Sequence, residues 1–445
     1  MRKIIKINLL LLLTLFLGLF IACEETPPVD EPKEFVDYAS QLKLNMSSST
    51  VKEEVKGVKA FIDGDTTHFY VSEDVAVDGI LKARYLAINT PESTGQIEEW
   101  GKKASNLTKE KLSSAVSIII ESDNNKWNLD STGGRYLVWV WYKTTKDGEY
   151  RNLNLEILQS GLAFGSNSSD NIYGSICSKA LSQAIDQELY VFSDEKDPDF
   201  FYGEALPITL KELRCNLEEY NGKKVSFEGV IIKKDGGSVY IQEYDPLTDI
   251  YYAIGVYYGY GLDPFGLRIL SAGNRVKMVG TVQYYEEGGT YQISGVEYDT
   301  IDPTNPNSFQ LISKDNEIHY NKLDLDRFFG GTIDIVVDDE ENIVKTFKYN
   351  ELMLNSGVYV ENADVKSIYT TQSNTASNGA MTITCEVGGK TLDVRTIVLL
   401  NENNEVVKED EYLNKTIKVR GLIDYFNGDY QIKVYSYNDI IIQGE

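Results

Sequence analysis

From residue 55 onward, apolar residues recur at every second position in short runs. VKGVKAFI, THFYVS, ILKARYLAI, VSIIIES and RYLVWVWY are rich in branched and aromatic residues and bounded by Gly, Asp or Asn, so each predicts a strand. WGKKASNLTKEKLSSA, NLNLEILQSGLA and CSKALSQAIDQEL instead place apolar residues three and four apart, which predicts helices. Five short strands with few helices predict a small closed barrel over residues 55–202. The acidic, aromatic stretch DEKDPDFFYGEALP then reads as a linker.

The remaining chain repeats itself. RVKMVGTVQYYEEGGTYQISGVEYDTI (275–301) and TIKVRGLIDYFNGDYQIKVYSYNDIII (416–442) share a strand, a Gly, a second strand segment, an acidic Gly-containing turn, Tyr-Gln-Ile and a further strand. Upstream of each lie a helix-like LKEL or YNEL and a strand run, GKKVSFEGVIIKK or GVYVENADVKSIY. Two copies of one β unit account for this economically, and their spacing resembles OB-fold barrels. The expected domains are residues 205–302 and 346–445, joined by a connector at 303–345 in which FGGTIDIVVDDEENIVKTFKY predicts a hairpin. A chain of 445 residues exceeds what one core organises, so three domains fit its length. The expected fold class is mainly β with some helix (α+β): an OB-type five-stranded barrel with helices, followed by two OB-fold-like β domains.

Residues 1–23 belong to no core. Met1-Arg2-Lys3 precedes an apolar run that ends in FIAC, and this basic, apolar, small-residue-then-Cys order resembles a bacterial lipoprotein signal with Cys23 as the lipidated residue. Phe20 stands where that signal usually has Leu. The expectation is export to the cell surface and a membrane anchor on Cys23, with acidic, proline-containing residues 24–54 as an extended tether.

Composition narrows the chemistry. The net charge of −25 falls mostly after residue 195, so a nucleic-acid contact must be a local basic site rather than a general basic surface. The cysteines after Cys23, namely Cys177, Cys215 and Cys385, lie far apart and form no disulfide framework or zinc knuckle; they read as buried free thiols. Neither histidine, His68 or His319, sits near a nucleophile motif, which leaves acid-base chemistry to carboxylates and arginines.

Three stretches carry that chemistry. IDGDT (62–66) is a Gly-centred turn with a carboxylate on each side; RYLAINTPES starts an apolar run with Arg84 and breaks at Pro91 into Glu92; DSTGGRYLVWVW puts Asp130 and two glycines before Arg135. Alternation in RYLAINTPE puts Arg84, Leu86 and Ile88 on one face, with the strand stopping near Asn89. In this order, with GKKAS (101–105) and NLNLEILQSGLA (152–163), the stretches resemble the staphylococcal nuclease (thermonuclease) family over about residues 55–202.

That resemblance implies Arg84, Glu92 and Arg135 as catalytic residues, with Asp65, the Asn89 side chain and the Thr90 carbonyl around a calcium ion. It also implies hydrolysis of DNA or RNA, Glu92 activating water while the arginines hold the phosphoryl group. For Glu92 to meet Arg84, the chain must curl back after Asn89. The pattern departs in three places: Asn89 stands where the family has aspartate, Asp130 to Arg135 is one residue longer, and FGSNSSDNIYG lacks the paired tyrosines that hold a base. Loss of one ligand charge implies weaker calcium binding, compatible with extracellular sites that work at about 10⁻⁴ to 10⁻³ M. The other reading is a catalytically inactive binding module whose acidic repeats, residues 205–445, contact protein or other ligands; the tyrosines of YYAIGVYYGYG then read as barrel residues.

Overall fold

In the computed structural model, residues 34–94, 97–286, 288–302, 304–338, 343–373 and 375–444 are described. The expected signal, Cys23 and the first part of the tether lie outside them. Among the described residues no helix is long and apolar enough to cross a membrane.

The first barrel is built from β1 (Lys52–Glu54), β2 (Gly57–Asp63), β3 (Thr66–Tyr70), β4 (Ile80–Tyr85), β6 (Ser117–Glu121) and β7 (Tyr136–Lys143), with β5 (Ala87–Asn89) set apart. The pairing runs β2-β3-β4-β7-β6-β1, and β4 and β7 are parallel. Because β1 continues into β2 through Val55, whose N–H meets the Ile118 carbonyl at 3.0 Å, the two behave as one bent strand that closes the barrel. The tether expectation therefore fails from Tyr38 on: the short helix α1 (Tyr38–Gln41) buries Ala39 completely, and β1 completes the barrel. KEE shows no alternation by which to recognise it, since closure, not burial, places it there.

Helices α2 (Gly101–Ser113) and α3 (Leu153–Gln159) pack on this barrel, and α4 (Gly174–Asp186) packs against α3. α2 buries Ala104, Thr108 and Leu112, each four residues apart, as one helical face requires. In β7, residues 138–142 are all buried, one face in the barrel and the other against helix, so its apolar residues are not confined to alternate positions. The charge buried there is satisfied: Glu121 accepts from Trp141 Nε1 at 2.8 Å and the Tyr173 hydroxyl at 2.9 Å.

Beyond β8 (Arg151–Asn152), β9 (Phe164–Ser166) and β10 (Leu206–Pro207), a second barrel follows: β11 (Lys224–Asp235), β12 (Ser238–Asp245), β13 (Ile250–Tyr257), β14 (Arg275–Tyr285) and β15 (Thr290–Ser294). The pairings β11–β12, β12–β13, β13–β15, β15–β14 and β14–β11 form a closed ring. After β16 (Gln310–Ser313), β17 (Asn321–Lys322) and the hairpin of β18 (Thr332–Asp338) and β19 (Ile343–Lys348), a third barrel repeats it with β20 (Gly357–Thr370), β21 (Met381–Val387), β22 (Lys390–Thr396), β23 (Thr416–Phe426) and β24 (Asp429–Val434). The repeated glycines now have a reason. A Cβ on Gly280 would lie 2.5 Å from Ile293 Cγ2, and one on Gly421 would strike the Lys433 carbonyl, so each lets a long strand coil against its hairpin partner.

The repeats differ in one strand. β25 (Ile440–Ile442) flanks β23 as the sequence predicts, but the equivalent place beside β14 is taken by β16, not by residues 295–301. Buried side chains from Leu210 to Ile440 form one continuous cluster, so the two C-terminal barrels share a core. Cys177, Cys215 and Cys385 are free and buried, and burial pushes their thiols up to about 12, 11 and 12.

Candidate active site

Gly64 and Asp65 link β2 to β3. A Cβ on Gly64 would sit 2.9 Å from both the Ala104 Cβ and the Thr90 side chain, so glycine is what lets the turn press against α2 and the 89–92 segment. The contact is fixed by the Thr108 hydroxyl, which donates to the Gly64 carbonyl at 2.5 Å. Asp65 is wholly buried. Its Oδ1 meets Arg84 Nη1 and accepts from the Thr66 hydroxyl at 3.0 Å, while Oδ2 accepts the Thr90 N–H at 2.9 Å. Burial raises its pKa, opposed by the guanidinium and by these donors.

Arg84 faces outward, which corrects the simple alternation reading. Leu81, Ala83 and Tyr85 fill the core, and the run is not one strand: it breaks at Leu86, and Ala87 has φ 69°. That left-handed residue carries a steric cost for any side chain with a Cβ. Asn154 compensates by donating from Nδ2 to the Leu86 carbonyl at 2.9 Å and the Val138 carbonyl at 3.0 Å, while its Oδ1 accepts the Val140 N–H at 2.9 Å. An unbroken strand would carry Asn89 roughly 16 Å from Arg84. The break instead brings Asn89 Oδ1 onto Arg84 Nη2.

The next turn delivers Glu92. Its carbonyl accepts the Glu98 N–H at 2.9 Å, and its own N–H donates to Glu98 Oε2 at 3.0 Å. Gly101, opening α2, has no Cβ to strike the Glu92 carbonyl that packs against it. Glu92 is exposed, but it reaches the buried Asp63 carboxyl. Asp63 Oδ1 also accepts from the Ser93 N–H at 3.2 Å and the Ser93 hydroxyl at 2.8 Å. Burial first, then the Glu92 carboxylate, push Asp63 up to about 8.

Arg135 precedes β7, whose parallel register sets Leu137 opposite Arg84. Two residues back along the strand, its backbone is roughly 8 Å from that of Arg84, on the same sheet face. Arg135 Nε donates to Asp130 Oδ2 at 2.7 Å. Burial would raise Asp130, but hydrogen bonds from Thr132 and Arg135, with the guanidinium charge, outweigh it and hold the acid at about 2. Gly133, with φ 71°, turns the chain here.

Asp65, Arg84, Asn89, Thr90 and Glu92 thus gather at one end of the first barrel, and Arg135 flanks them. Residues 82–186, which contain all of these except Asp65, match the family model described as staphylococcal nuclease homologue. The chain carries an SNase domain. No curated protein matches the chain. The match to the SNase domain covers neither C-terminal barrel.

Sequence reasoning missed three residues of the SNase domain's site. Asp63 was signalled only by its symmetry with Asp65 about Gly64, Ser93 by nothing local, and Asn154 by its place in NLNLEIL. Of the histidines, His68 lies within β3, and His319 stacks on Tyr251 with ring centroids 5.8 Å apart. For a metal, the donors are of the right type, since the Asp65 and Asn89 oxygens already converge on one cation, the Arg84 fork. Among the described residues no cluster of three His, Cys, Asp or Glu side chains is arranged to hold an ion, so Asn89 and a backbone carbonyl would have to complete any such set. Arg84 must release both oxygens for an ion to take them.

Proposed function

We propose that this protein hydrolyses phosphodiester bonds of extracellular DNA or RNA. The observation that carries the reading is the meeting of Asp65, Arg84, Asn89 and Glu92 at one barrel end within an SNase domain. Glu92 orients and deprotonates the attacking water; it is exposed, so water reaches it. Arg84 and Arg135 hold the phosphoryl oxygens as charge builds on them, each through a planar fork. Asp65, Asn89 and the Thr90 carbonyl would hold calcium, which when bound neutralises phosphate charge beside the reacting centre. Through Cys23 the protein would be lipid-anchored at the cell surface, and residues 205–445 would serve as a spacer or contact other proteins.

The Arg84 fork closed on Asp65 and Asn89 favours the second reading, an inactive binding module, because a guanidinium so engaged is withheld from phosphate. Incubation of the protein with DNA and RNA at millimolar calcium, and with chelator, separates the two. Digestion that needs calcium and is lost in Glu92→Gln supports catalysis; absence of any digestion by wild type removes it.

A further inference from the structure

The second barrel touches the SNase domain beside Glu92. Gln283, on β14, donates from Nε2 to the Ser93 carbonyl at 2.8 Å, across 190 residues of sequence. Its amide is oriented from behind: the hydroxyl of Ser294, fully buried on β15, donates to Gln283 Oε1 at 2.7 Å. The register accounts for this pair. Val282 faces Ile293 inside the barrel, so Gln283 and Ser294 are diagonal neighbours on the outer face. Tyr257 shares that face, because Val256 pairs with Ile293 in the core. Burial, then Tyr260, then the Glu92 charge raise the Tyr257 hydroxyl above its usual value, which puts Glu92 within electrostatic reach of this face.

On the SNase side the contact continues inward. Ser93 donates twice to Asp63, and Asp63 meets Glu92. A relay of Ser294, Gln283, Ser93 and Asp63 therefore ends at the carboxylate assigned to water activation. The geometry points to Gln283 as a positioning residue of the nuclease site, through which the second barrel braces the loop that carries Glu92. This rests on the proposed nuclease reading. It goes beyond that reading in giving a C-terminal barrel a part in the reaction. The need is physical: Glu92 is exposed on a loop, and a displacement of about 1 Å in a catalytic group costs on the order of 100-fold in rate.

The test uses the full chain as wild type, Gln283→Ala, Gln283→Glu, Lys109→Ala and Glu92→Gln. Steady-state cleavage of single-stranded DNA with calcium is read beside hydrogen exchange of the Glu92–Glu98 amides and the melting temperature. Gln283→Ala should lower kcat by about 10- to 100-fold at unchanged KM and melting temperature, with faster exchange in that loop. Gln283→Glu keeps the shape but cannot donate when ionised, and should lose as much. Lys109→Ala removes the nearby ion pair to Glu286 and should change neither quantity. Unchanged kcat and exchange in Gln283→Ala, a rise in KM alone, or an equal loss in Lys109→Ala would overturn the positioning role. Absence of cleavage by wild type, or full cleavage by Glu92→Gln, overturns the nuclease reading instead, and the exchange measurement still decides whether Gln283 braces the loop.

Discussion

Asp63 is where the site is most sensitive to pH. Its pKa is raised from 3.8 to about 8 by burial and by Glu92, so the folded state holds a proton that the unfolded chain releases. The stability this contributes is fully present below pH 3.8 and is lost as pH rises through about 8. In metal-free protein, Asp63→Asn should flatten the fall in melting temperature between about pH 4 and 8 relative to wild type, and raise the melting temperature at pH 8. A scan of both proteins across that range checks it, and an identical slope in the two would refute the raised Asp63 pKa. Arg84 makes a second residue-scale prediction. Because its fork holds the Asp65 and Asn89 oxygens, Arg84→Ala should abolish cleavage yet retain or improve calcium binding, measured by calorimetry.

At the scale of elements, the break between β4 and β5 does most to build the site. Asn154 meets three backbone groups around it, two of them at Val138 and Val140 of the buried β7. Asn154→Leu, close in size, should cost about 1–3 kcal/mol in denaturant unfolding, since it strands buried polar groups. It should also lower activity by letting Asn89 drift. Gly101→Ala should be harmful too, because its Cβ meets the Glu92 carbonyl, and here kcat should fall more than stability. The helices and most strands were legible because their periods are long and regular. The break was not, because alternation continues through RYLAI in the sequence while a left-handed alanine, held by a side chain far along the chain, interrupts it in space. The site residues were legible through their ordered motifs. Asp63's raised pKa and the Gln283 contact were not, since each depends on surroundings that only the folded chain supplies.

Among the described residues, three barrels wind in the same strand order, yet they are not three independent bodies. Leu210 through Ile440 contribute to one buried cluster, and Arg214, itself buried, donates to the Glu351 and Leu352 carbonyls from the other repeat. Removing residues 346–445 should therefore unfold the second barrel as well, seen as loss of its cooperative melting transition. The stretch between the SNase domain and the second barrel is different: Glu195 and Lys196 are exposed and outside helix and strand. The shared core thus decides how the chain comes apart under a protease. Brief trypsin digestion should nick near Lys196 and yield, by mass spectrometry, an N-terminal fragment and one large C-terminal fragment holding both repeats, with no fragment that holds only one of the two repeats.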